Sequence, residues 1–152
     1  MELTSSAFPE GATIPKVSTG DGKDISPPLH WSGAPGNTQS FALICEDPDA
    51  PRKEPWVHWV LFNLPANTHE LSEGTPASET LTNGAKQGKN DFDKLGYGGP
   101  APPPGKPHRY YFKLYALDTM LDLKEGATKQ ELEQAMKGHV LASGQVMGKY
   151  GR

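Results

Sequence analysis

Acidic, aromatic and imidazole side chains occur together within one short stretch of the sequence. The turn Asp47–Pro51 carries two aspartates, Asp47 and Asp49, in alternation with two prolines. Because proline fixes φ and removes a backbone donor, this turn is expected to present both carboxylates with little conformational freedom. Trp56 and His58 follow at a spacing that places them on one face of a strand. These groups suit acid–base or ligand-binding chemistry, although turn capping alone explains the aspartates and a place in the core alone explains the histidine.

A second group of such side chains follows a loop rich in proline and glycine. The stretch 96–107 contains five prolines and four glycines and leads directly into His108 and Tyr110. These two side chains share one face of a predicted strand, near its start. Imidazole, phenol and the backbone amides around Gly98 and Gly99 are donors that suit a compact oxyanion, while a carboxylate could receive an amine or orient an imidazole. Together the two groups predict a small polar pocket at the strand ends.

Two apolar segments must position the first group. Thr38–Cys45 is apolar on both faces, which is typical of a central strand that is covered on both sides. Trp56–Leu64 predicts a second strand, in which regular alternation places His58 and Val60 on one face and Trp59 on the other. The turn with the two aspartates would therefore connect these strands.

The second group needs a third strand, and the remaining sequence predicts a fourth strand and a helix. His108–Leu117 alternates clearly between two faces. Val140–Lys149 predicts the last strand, with a bulge at Gly144. Thr128–Glu131 matches a capping box at the start of a helix, and Gly138 supplies its stop signal.

The order of these elements indicates a mainly β fold. Segment 1–36 is dominated by turn signals, and 66–107 is a polar connection whose length suggests a functional role in a compact domain. No repeat or shift in composition divides the chain, so residues 1–152 are predicted to form a single domain. The predicted class is a sandwich of antiparallel β-sheets with one clear helix near the C-terminus.

Charge and cysteine content argue against several kinds of function. The 152 residues include 15 Lys and Arg against 18 Asp and Glu, a net charge of −3, which offers no basic stripe for nucleic acid. Cys45 is the only cysteine, so it is predicted to be a small buried apolar residue rather than part of a disulfide or metal cluster. The sequence has no signal peptide, no membrane-spanning run and no cofactor or metal motif, which predicts a cytoplasmic protein without a cofactor.

Several motifs, taken in order, resemble the signature regions of the phosphatidylethanolamine-binding protein family. They are Asp47–Arg52, Trp56–Trp59, Gly98–Pro100 and His108–Tyr110. The opening and the close fit the short bacterial and archaeal branch, often called Raf-kinase-inhibitor-like proteins, at Ile25–Leu29, Gly138–Ala142 and Gly148–Arg152. The resemblance therefore covers essentially the whole chain.

The resemblance implies a large central antiparallel sheet, a smaller sheet and an anion pocket at the strand ends. Six residues fall on the family's pocket positions and two lie beside them: Asp47, His58, Gly99, Pro100, His108 and Tyr110, with Asp49 and Trp56 alongside. Family members bind phosphate-like anions, phospholipid headgroups or phosphorylated peptides there, and some regulate kinases or inhibit serine proteases. The chain stops shortly after its last predicted strand, without the C-terminal helix of the larger eukaryotic members, so a more open pocket is expected.

Three functions stay open on the sequence alone. The leading hypothesis is a non-enzymatic binding module in which His58, His108, Tyr110 and the Gly99 amide hold a small anion or phosphorylated group. The alternative is an acid–base hydrolase in which Asp47 orients His58, although no nucleophile motif accompanies them. The third is kinase regulation or serine protease inhibition through the proline-rich loop. The branch is also compatible with a homodimer, for which the sequence identifies no apolar interface.

One backbone prediction combines the resemblance with physical chemistry. In family members the residue pair before the tryptophan can have a cis peptide bond, and here that pair is Glu54–Pro55. A cis bond before proline costs only about 0.5–1 kcal/mol. We therefore predict a cis bond that helps to aim Trp56 and His58.

Overall fold

The computed structural model describes residues 1–152 and contains eight strands and one α-helix. In chain order they are β1 (Glu2–Thr4), β2 (Leu29–Ser32), β3 (Ser40–Asp47), β4 (Trp56–Pro65), β5 (Glu70–Leu71), β6 (Lys86–Gln87), β7 (His108–Leu117), α1 (Lys129–Met136) and β8 (Val140–Tyr150). They form a three-stranded sheet in the order β1-β2-β5 and a five-stranded sheet in the order β6-β4-β3-β7-β8. All neighbouring strands are antiparallel, so the predicted mainly β fold with two antiparallel sheets is confirmed.

The central strand is β3, as its two apolar faces predict. Every residue of β3 is buried. Phe41, Leu43 and Cys45 belong to the larger core, which also includes residues of the small sheet such as Trp31. The opposite face of β3 packs in a second core together with Leu132 of the helix. The strand is therefore covered by the small sheet on one side and by α1 on the other.

The predicted alternation along β4 is wrong, because two irregularities interrupt its pairing with β3. Trp59 pairs with Cys45 and Val57 with Glu46, so His58 is an extra residue between two pairs. A second extra residue lies between the pairs of Leu64 and Leu61. As a result Val57 and Val60 both face the core beside the helix, whereas Trp59 faces the larger core. A β-bulge of this kind redirects a side chain, and here the extra residue is a histidine of the candidate site.

The last strand pair follows the prediction except at its bulge. His108–Leu117 pairs with β8 over its whole length, and the irregularity lies at Leu141, between the pairs of Ala142 and Val140. Gly144 pairs regularly with Leu114, so the predicted bulge at Gly144 is wrong. A Cβ atom at Gly144 would lie 2.8 Å from the carbonyl oxygen of Met1, so glycine is needed because another backbone approaches closely.

The helix begins with the predicted capping box. The Thr128 hydroxyl accepts a hydrogen bond from the Glu131 amide at 3.2 Å, and the Glu131 carboxylate accepts one from the Thr128 amide at 3.0 Å. Gly138 follows the helix with a φ of 83°, as expected for a stop signal. No helix in the structure has the length and apolar character needed to cross a membrane.

A buried glutamine anchors the long connection between β4 and β7. Gln87 is fully buried, and its side-chain oxygen accepts a hydrogen bond of 2.8 Å from the indole N–H of Trp59. Its side-chain nitrogen donates to the carbonyl oxygens of Pro76 and Ser78 at 2.5 and 2.9 Å. Residues 66–107 are thus tied to the large sheet by a polar group that the sequence pattern gave no reason to select.

Candidate functional site

The side chains of both groups line one small cavity at the end of the large sheet. Its volume is about 190 Å³. The lining residues are Asp47, Ala50, Pro51, Trp56, His58, Phe92, Ala101, Pro102, Pro103, His108 and Tyr110. Pockets for drug-sized ligands usually enclose about 300–1,000 Å³, so this cavity suits a compact chemical group. Five of the eight predicted site residues line it, and the other three lie elsewhere.

The first anchored imidazole of the cavity belongs to His108. Its Nδ1 atom lies 2.7 Å from Oδ2 of Asp47, and both side chains are largely buried. The other oxygen of Asp47 accepts a hydrogen bond of 2.7 Å from the Asp49 amide. A carboxylate can only accept here, so Nδ1 of His108 carries the proton and Nε2 is the nitrogen left for a ligand.

The second imidazole is fixed through the same ring atom but by a neutral partner. Nδ1 of His58 lies 2.5 Å from the carbonyl oxygen of Gly98, which can only accept. Burial lowers the pKa of His58, although the Gly98 hydrogen bond and the Asp47 charge act in the opposite direction. The free protein therefore favours a neutral His58 whose Nε2 atom is an acceptor. Protonation converts that atom into a donor.

Asp47 thus pairs with a different histidine from the one that the hydrolase hypothesis requires. That hypothesis has Asp47 orient His58, whereas its carboxylate contacts His108 and a backbone carbonyl orients His58. The extra residue in β4 explains the difference, because it changes the direction of the His58 side chain relative to a regular strand.

Tyr110 adds a phenolic hydroxyl to the lining of the cavity. Burial, together with the nearby Asp47 carboxylate, raises the pKa of Tyr110, so its hydroxyl stays protonated. The Tyr110 ring lies edge-on to the His58 ring, with centroids 5.1 Å apart. The indole Nε1 atom of Trp56 is buried and has no hydrogen-bond partner. A buried unpaired N–H is costly, and this one has almost no surface through which a ligand could reach it.

Asp49 lies outside the cavity and holds the start of β7. Its two carboxylate oxygens accept hydrogen bonds of 2.9 Å from Nε and Nη2 of Arg109, and one of them also accepts from the Arg109 amide. These hydrogen bonds lower the pKa of Asp49 to about 2. Asp49 therefore positions the turn against the strand that carries His108, and does not line the pocket.

Gly99 and Pro100 pack against the N-terminal segment and do not line the cavity. The Gly98 amide donates to the His58 carbonyl at 2.9 Å, and the Gly99 amide donates to Oδ1 of Asp24 at 2.6 Å. The Pro100 carbonyl accepts from the Gly20 amide. The expectation that amides near Gly98 and Gly99 are free for an anion is therefore wrong, because both already have acceptors.

Replacing Gly99 by alanine is expected to lower the free energy of unfolding by about 1–3 kcal/mol. A Cβ atom there would lie 2.5 Å from both Oδ1 of Asp24 and the carbonyl oxygen of Ser18, so the backbone must shift. Urea denaturation measures the effect. Gly36→Ala is the matched control, since nothing lies within 4 Å of its Cβ position. Equal stability of the two variants would contradict this explanation.

Phe92 is the main pocket residue that the sequence prediction missed. It is the only Phe, Trp or Tyr in 66–96, and this isolation in a polar segment could have marked it. Its ring contacts Trp56 and His58 edge-on, with both centroid distances at 5.5 Å. The Asn90 side chain positions it, because its oxygen accepts a hydrogen bond of 2.9 Å from the Phe92 amide.

Arg52 closes the turn before β4. Its contacts orient Trp56, which is the effect that was expected of a cis bond. Its guanidinium lies 4.5 Å from the centroid of the Trp56 ring and donates to the carbonyl oxygens of Glu54 and Pro55. It also forms an ion pair with Asp91. The chain contains no cis peptide bond, so the prediction for Glu54–Pro55 is wrong. Trp56 is aimed by these contacts with a trans bond before Pro55.

The remaining candidate groups do not form a metal or thiol centre. No group of three or more His, Cys, Asp or Glu side chains is arranged to hold a metal ion. Cys45 is buried in the larger core, as predicted, and burial raises the pKa of its thiol well above its ordinary value. The site chemistry is therefore that of imidazole, phenol, indole and carboxylate groups.

The sequence matches a family model and several proteins over nearly all of its length. The model described as phosphatidylethanolamine-binding protein matches residues 4–151. A UPF0098 protein of Methanothermobacter thermautotrophicus is 51% identical over 152 residues, which cover 100% of this chain and 99% of that protein. A UPF0098 protein of Chlamydia muridarum is 46% identical, covering 99% of this chain and 98% of that protein.

Two solved structures have the same fold. One is described as a putative phosphatidylethanolamine-binding protein homolog, CT736, from Chlamydia trachomatis, with a TM-score of 0.91, 42% identity, and coverage of 99% of this chain and 97% of that chain. The other is YbcL of E. coli, described as a new member of the mammalian PEBP family, with a TM-score of 0.91 and 33% identity. It covers 99% of this chain and 98% of that chain.

Proposed function

Because this chain belongs to the phosphatidylethanolamine-binding protein family, in agreement with the resemblance of its motifs, we propose that it binds the oxyanion of a phosphate-like or phosphorylated ligand in the cavity at the strand ends. Membership of this family supports a binding-type module. The observation that carries the finer proposal is the pair of imidazoles, His58 and His108, that are both anchored through Nδ1 and line one cavity.

The charge and hydrogen-bonding groups of the cavity support an oxyanion rather than an apolar ligand. Each imidazole offers Nε2, which donates once the ring is protonated. Tyr110 adds an O–H to the lining of the cavity. The Asp47 carboxylate could also receive an ammonium group beside the oxyanion. The volume of about 190 Å³ accommodates a headgroup and leaves no space for an acyl chain.

The partners of this binding module are part of the same proposal. A phosphorylated peptide or a phospholipid headgroup would supply the oxyanion, and a kinase or serine protease would be the regulated partner. The proline-rich loop contributes Pro102 and Pro103 to the cavity wall, and Arg152 donates to the Pro102 carbonyl at 3.2 Å. A partner that contacts this loop would therefore sense whether the cavity is filled.

The acid–base hydrolase is the competing function and would have to use different groups from those first expected. The Asp47–His108 pair is the only base–orienter pair in the cavity, and no serine, threonine or cysteine lines it. Water would have to be the nucleophile. Hydrolysis of a phosphate monoester by the protein that is lost in His108→Ala would favour this alternative over binding alone.

Replacing either histidine of the cavity by alanine is expected to weaken anion binding at least about tenfold, because each charge-assisted hydrogen bond contributes about 1.5–3 kcal/mol. Inorganic phosphate, acetate and O-phosphorylethanolamine are titrated into the protein while the imidazole resonances are followed by NMR. His58→Ala and His108→Ala are then titrated in the same way.

His139→Ala is the matched control for this experiment. Nδ1 of His139 lies 2.7 Å from Oδ1 of Asp118, which reproduces the histidine–aspartate pair at an exposed position outside the cavity. This variant should bind as the original protein does. The proposal fails if none of the three anions shifts the resonances of His58 or His108, or if His108→Ala and His139→Ala bind equally well.

A further inference from the structure

One carboxylate outside the cavity is connected to His58 through a single peptide group. The Gly98 carbonyl accepts the hydrogen bond of 2.5 Å from Nδ1 of His58, and the Gly99 amide donates one of 2.6 Å to Oδ1 of Asp24. That carbonyl and that amide belong to the same planar group, the linking peptide between Gly98 and Gly99. The imidazole, the linking peptide and the Asp24 carboxylate therefore form one continuous chain of hydrogen bonds.

Asp24 adopts a backbone conformation that is uncommon for aspartate. Its φ of 59° lies in the left-handed region, which residues other than glycine rarely occupy. Such conformations cost free energy and persist only where the surrounding structure enforces them, often at functional sites. From this conformation the Asp24 side chain makes one hydrogen bond within the chain, the one from the Gly99 amide. The strained residue is thus the one that contacts the linking peptide.

The segment that carries Asp24 is held against the linking peptide by two further hydrogen bonds. The Tyr97 hydroxyl donates to the Ser18 carbonyl at 2.6 Å, and the Gly20 amide donates to the Pro100 carbonyl at 2.8 Å. Tyr97 and Pro100 stand on either side of the linking peptide in the sequence. The Asp24 carboxylate therefore has a fixed place behind the site, although it does not line the cavity.

Three carboxylates from different parts of the fold act on the charge of His58. They are Asp24, Asp47 of β3 and Asp91 of the connection before β7, and β7 itself adds two ionisable groups to the same cavity, His108 and Tyr110. Burial lowers the pKa of His58, whereas its hydrogen bond to the linking peptide and the three carboxylates act in the opposite direction.

Asp24 differs from the other two carboxylates because no basic side chain shares its charge. Asp47 contacts an imidazole, and Asp91 contacts a guanidinium. Asp24 forms no ion pair in the chain, and its partner is the neutral linking peptide. Hydrogen bonds in such a chain polarise one another. A carboxylate at the amide end therefore makes the carbonyl end a stronger acceptor for the imidazole N–H.

We propose that Asp24 is a positioning residue of the anion site, which acts on His58 across the linking peptide and favours the protonated form that donates to an oxyanion. His108 has a carboxylate in direct contact, Asp47, whereas His58 has one across a peptide group. The inference rests on the proposed function, since the protonated form of His58 is needed to hold the anion. Asp24 is exposed, so salt screens its contribution.

The Asp24→Asn variant removes the charge and keeps the contact. Asparagine tolerates the left-handed conformation, and its side-chain oxygen can accept from the Gly99 amide. In NMR titrations of the free proteins at low salt, His58 is expected to have a lower pKa in this variant than in the original protein. Circular dichroism and thermal unfolding check that the variant is folded.

The same variant should change how the affinity for sulfate depends on pH. The ratio of the affinity at low pH, where His58 is protonated, to the affinity at neutral pH is expected to be about threefold larger in Asp24→Asn. Loss of a negative charge also reduces repulsion of sulfate. That effect is the same at both pH values, so it cancels in the ratio, which calorimetry at low salt measures.

The matched control is Asp93→Asn. Asp93 has the same φ of 59° and an exposed carboxylate, but its partner is Lys89, at 3.2 Å. This variant should leave the pKa of His58 and the affinity ratio unchanged. Asp24→Gly is a second test, because glycine adopts the left-handed conformation without strain and removes both the charge and the acceptor. It should lower the pKa of His58 at least as much as Asp24→Asn.

The possible outcomes separate the role of Asp24 from the function on which it rests. If the original protein binds sulfate but Asp24→Asn has the same His58 pKa and the same affinity ratio, the inference is wrong and the proposed function stands. An Asp24→Asn variant that binds more weakly by the same factor at every pH would show a purely structural role and also overturn the inference. If the original protein binds no sulfate, both fail.

Discussion

Replacing Gln87 by alanine is expected to lower the free energy of unfolding by about 3 kcal/mol. The substitution leaves the buried indole N–H of Trp59 without an acceptor, at a cost of about 1–3 kcal/mol. It also removes the donors to two loop carbonyls and creates a cavity next to β4. Chemical denaturation monitored by tryptophan fluorescence and circular dichroism gives the difference.

Two further glutamine variants separate the causes of this loss. Gln87→Met keeps most of the side-chain volume but removes every side-chain hydrogen bond, so it should retain most of the destabilisation. Gln130→Ala is the surface control, because Gln130 is exposed on α1, and it should change the free energy of unfolding by less than about 0.5 kcal/mol. A Gln87→Met variant as stable as the original protein would show that packing, and not hydrogen bonding, is the role of this residue.

A loss of this anchor should also affect the candidate site. Trp59, which donates to Gln87, packs edge-on against Tyr97 with ring centroids 5.5 Å apart. Tyr97 in turn donates to the Ser18 carbonyl at 2.6 Å and immediately precedes Gly98, the acceptor for His58. The Gln87→Ala variant is therefore expected to show a changed environment of the His58 ring in NMR spectra even where it is fully folded.

The strands could be predicted from the sequence wherever burial imposed a simple pattern. β3 is apolar on both faces because it lies between the small sheet and α1. β7 alternates because its inner face contacts one core, and the prediction for His108–Leu117 matches its bounds. The extra residue at His58 could not be predicted, since a bulge depends on the register with a partner strand and leaves no mark on apolar periodicity.

The main residues of the site could be predicted from the sequence, but the hydrogen bonds between them could not. Proline-rich turns beside His58 and His108 indicated that these residues lie together, and both line one cavity. The partner of Asp47 depended on the bulge in β4 and so could not be assigned from spacing. Gly99 is a glycine because another group packs closely against its backbone, as is the case for many glycines. The sequence does not tell whether that group is a ligand or, as here, the Ser18 backbone.

The affinity for sulfate is expected to fall about tenfold for each pH unit above neutrality. Nδ1 of His58 must keep its proton to donate to the Gly98 carbonyl, so only the imidazolium form can also donate through Nε2 to an oxyanion. Burial lowers the pKa of His58, and above that pKa the protonated fraction decreases tenfold for each pH unit. Calorimetric titrations between about pH 5 and about pH 8 measure the slope. Sulfate is suitable because its own charge does not change in this range.

The His58→Gln variant separates the effect of His58 protonation on sulfate affinity from the effects of other titrating groups. Glutamine can donate a hydrogen bond at any pH, so the variant should bind sulfate more weakly at low pH but with a shallower dependence on pH. An unchanged slope in His58→Gln would mean that another group controls binding.

The same protonation should appear in the stability of the free protein. Because the pKa of His58 is lower in the folded state than its ordinary value of 6.5, the unfolded state takes up a proton first as the pH falls. The contribution of His58 to stability is therefore full above about pH 6.5 and decreases as the pH falls towards the folded-state pKa. Sulfate binds the protonated folded form, so it should reverse this decrease, whereas in His58→Gln both the decrease and its reversal should be smaller. Thermal unfolding with and without sulfate, at several pH values, measures both effects. A free protein whose stability does not change over this range would contradict a buried, neutral His58.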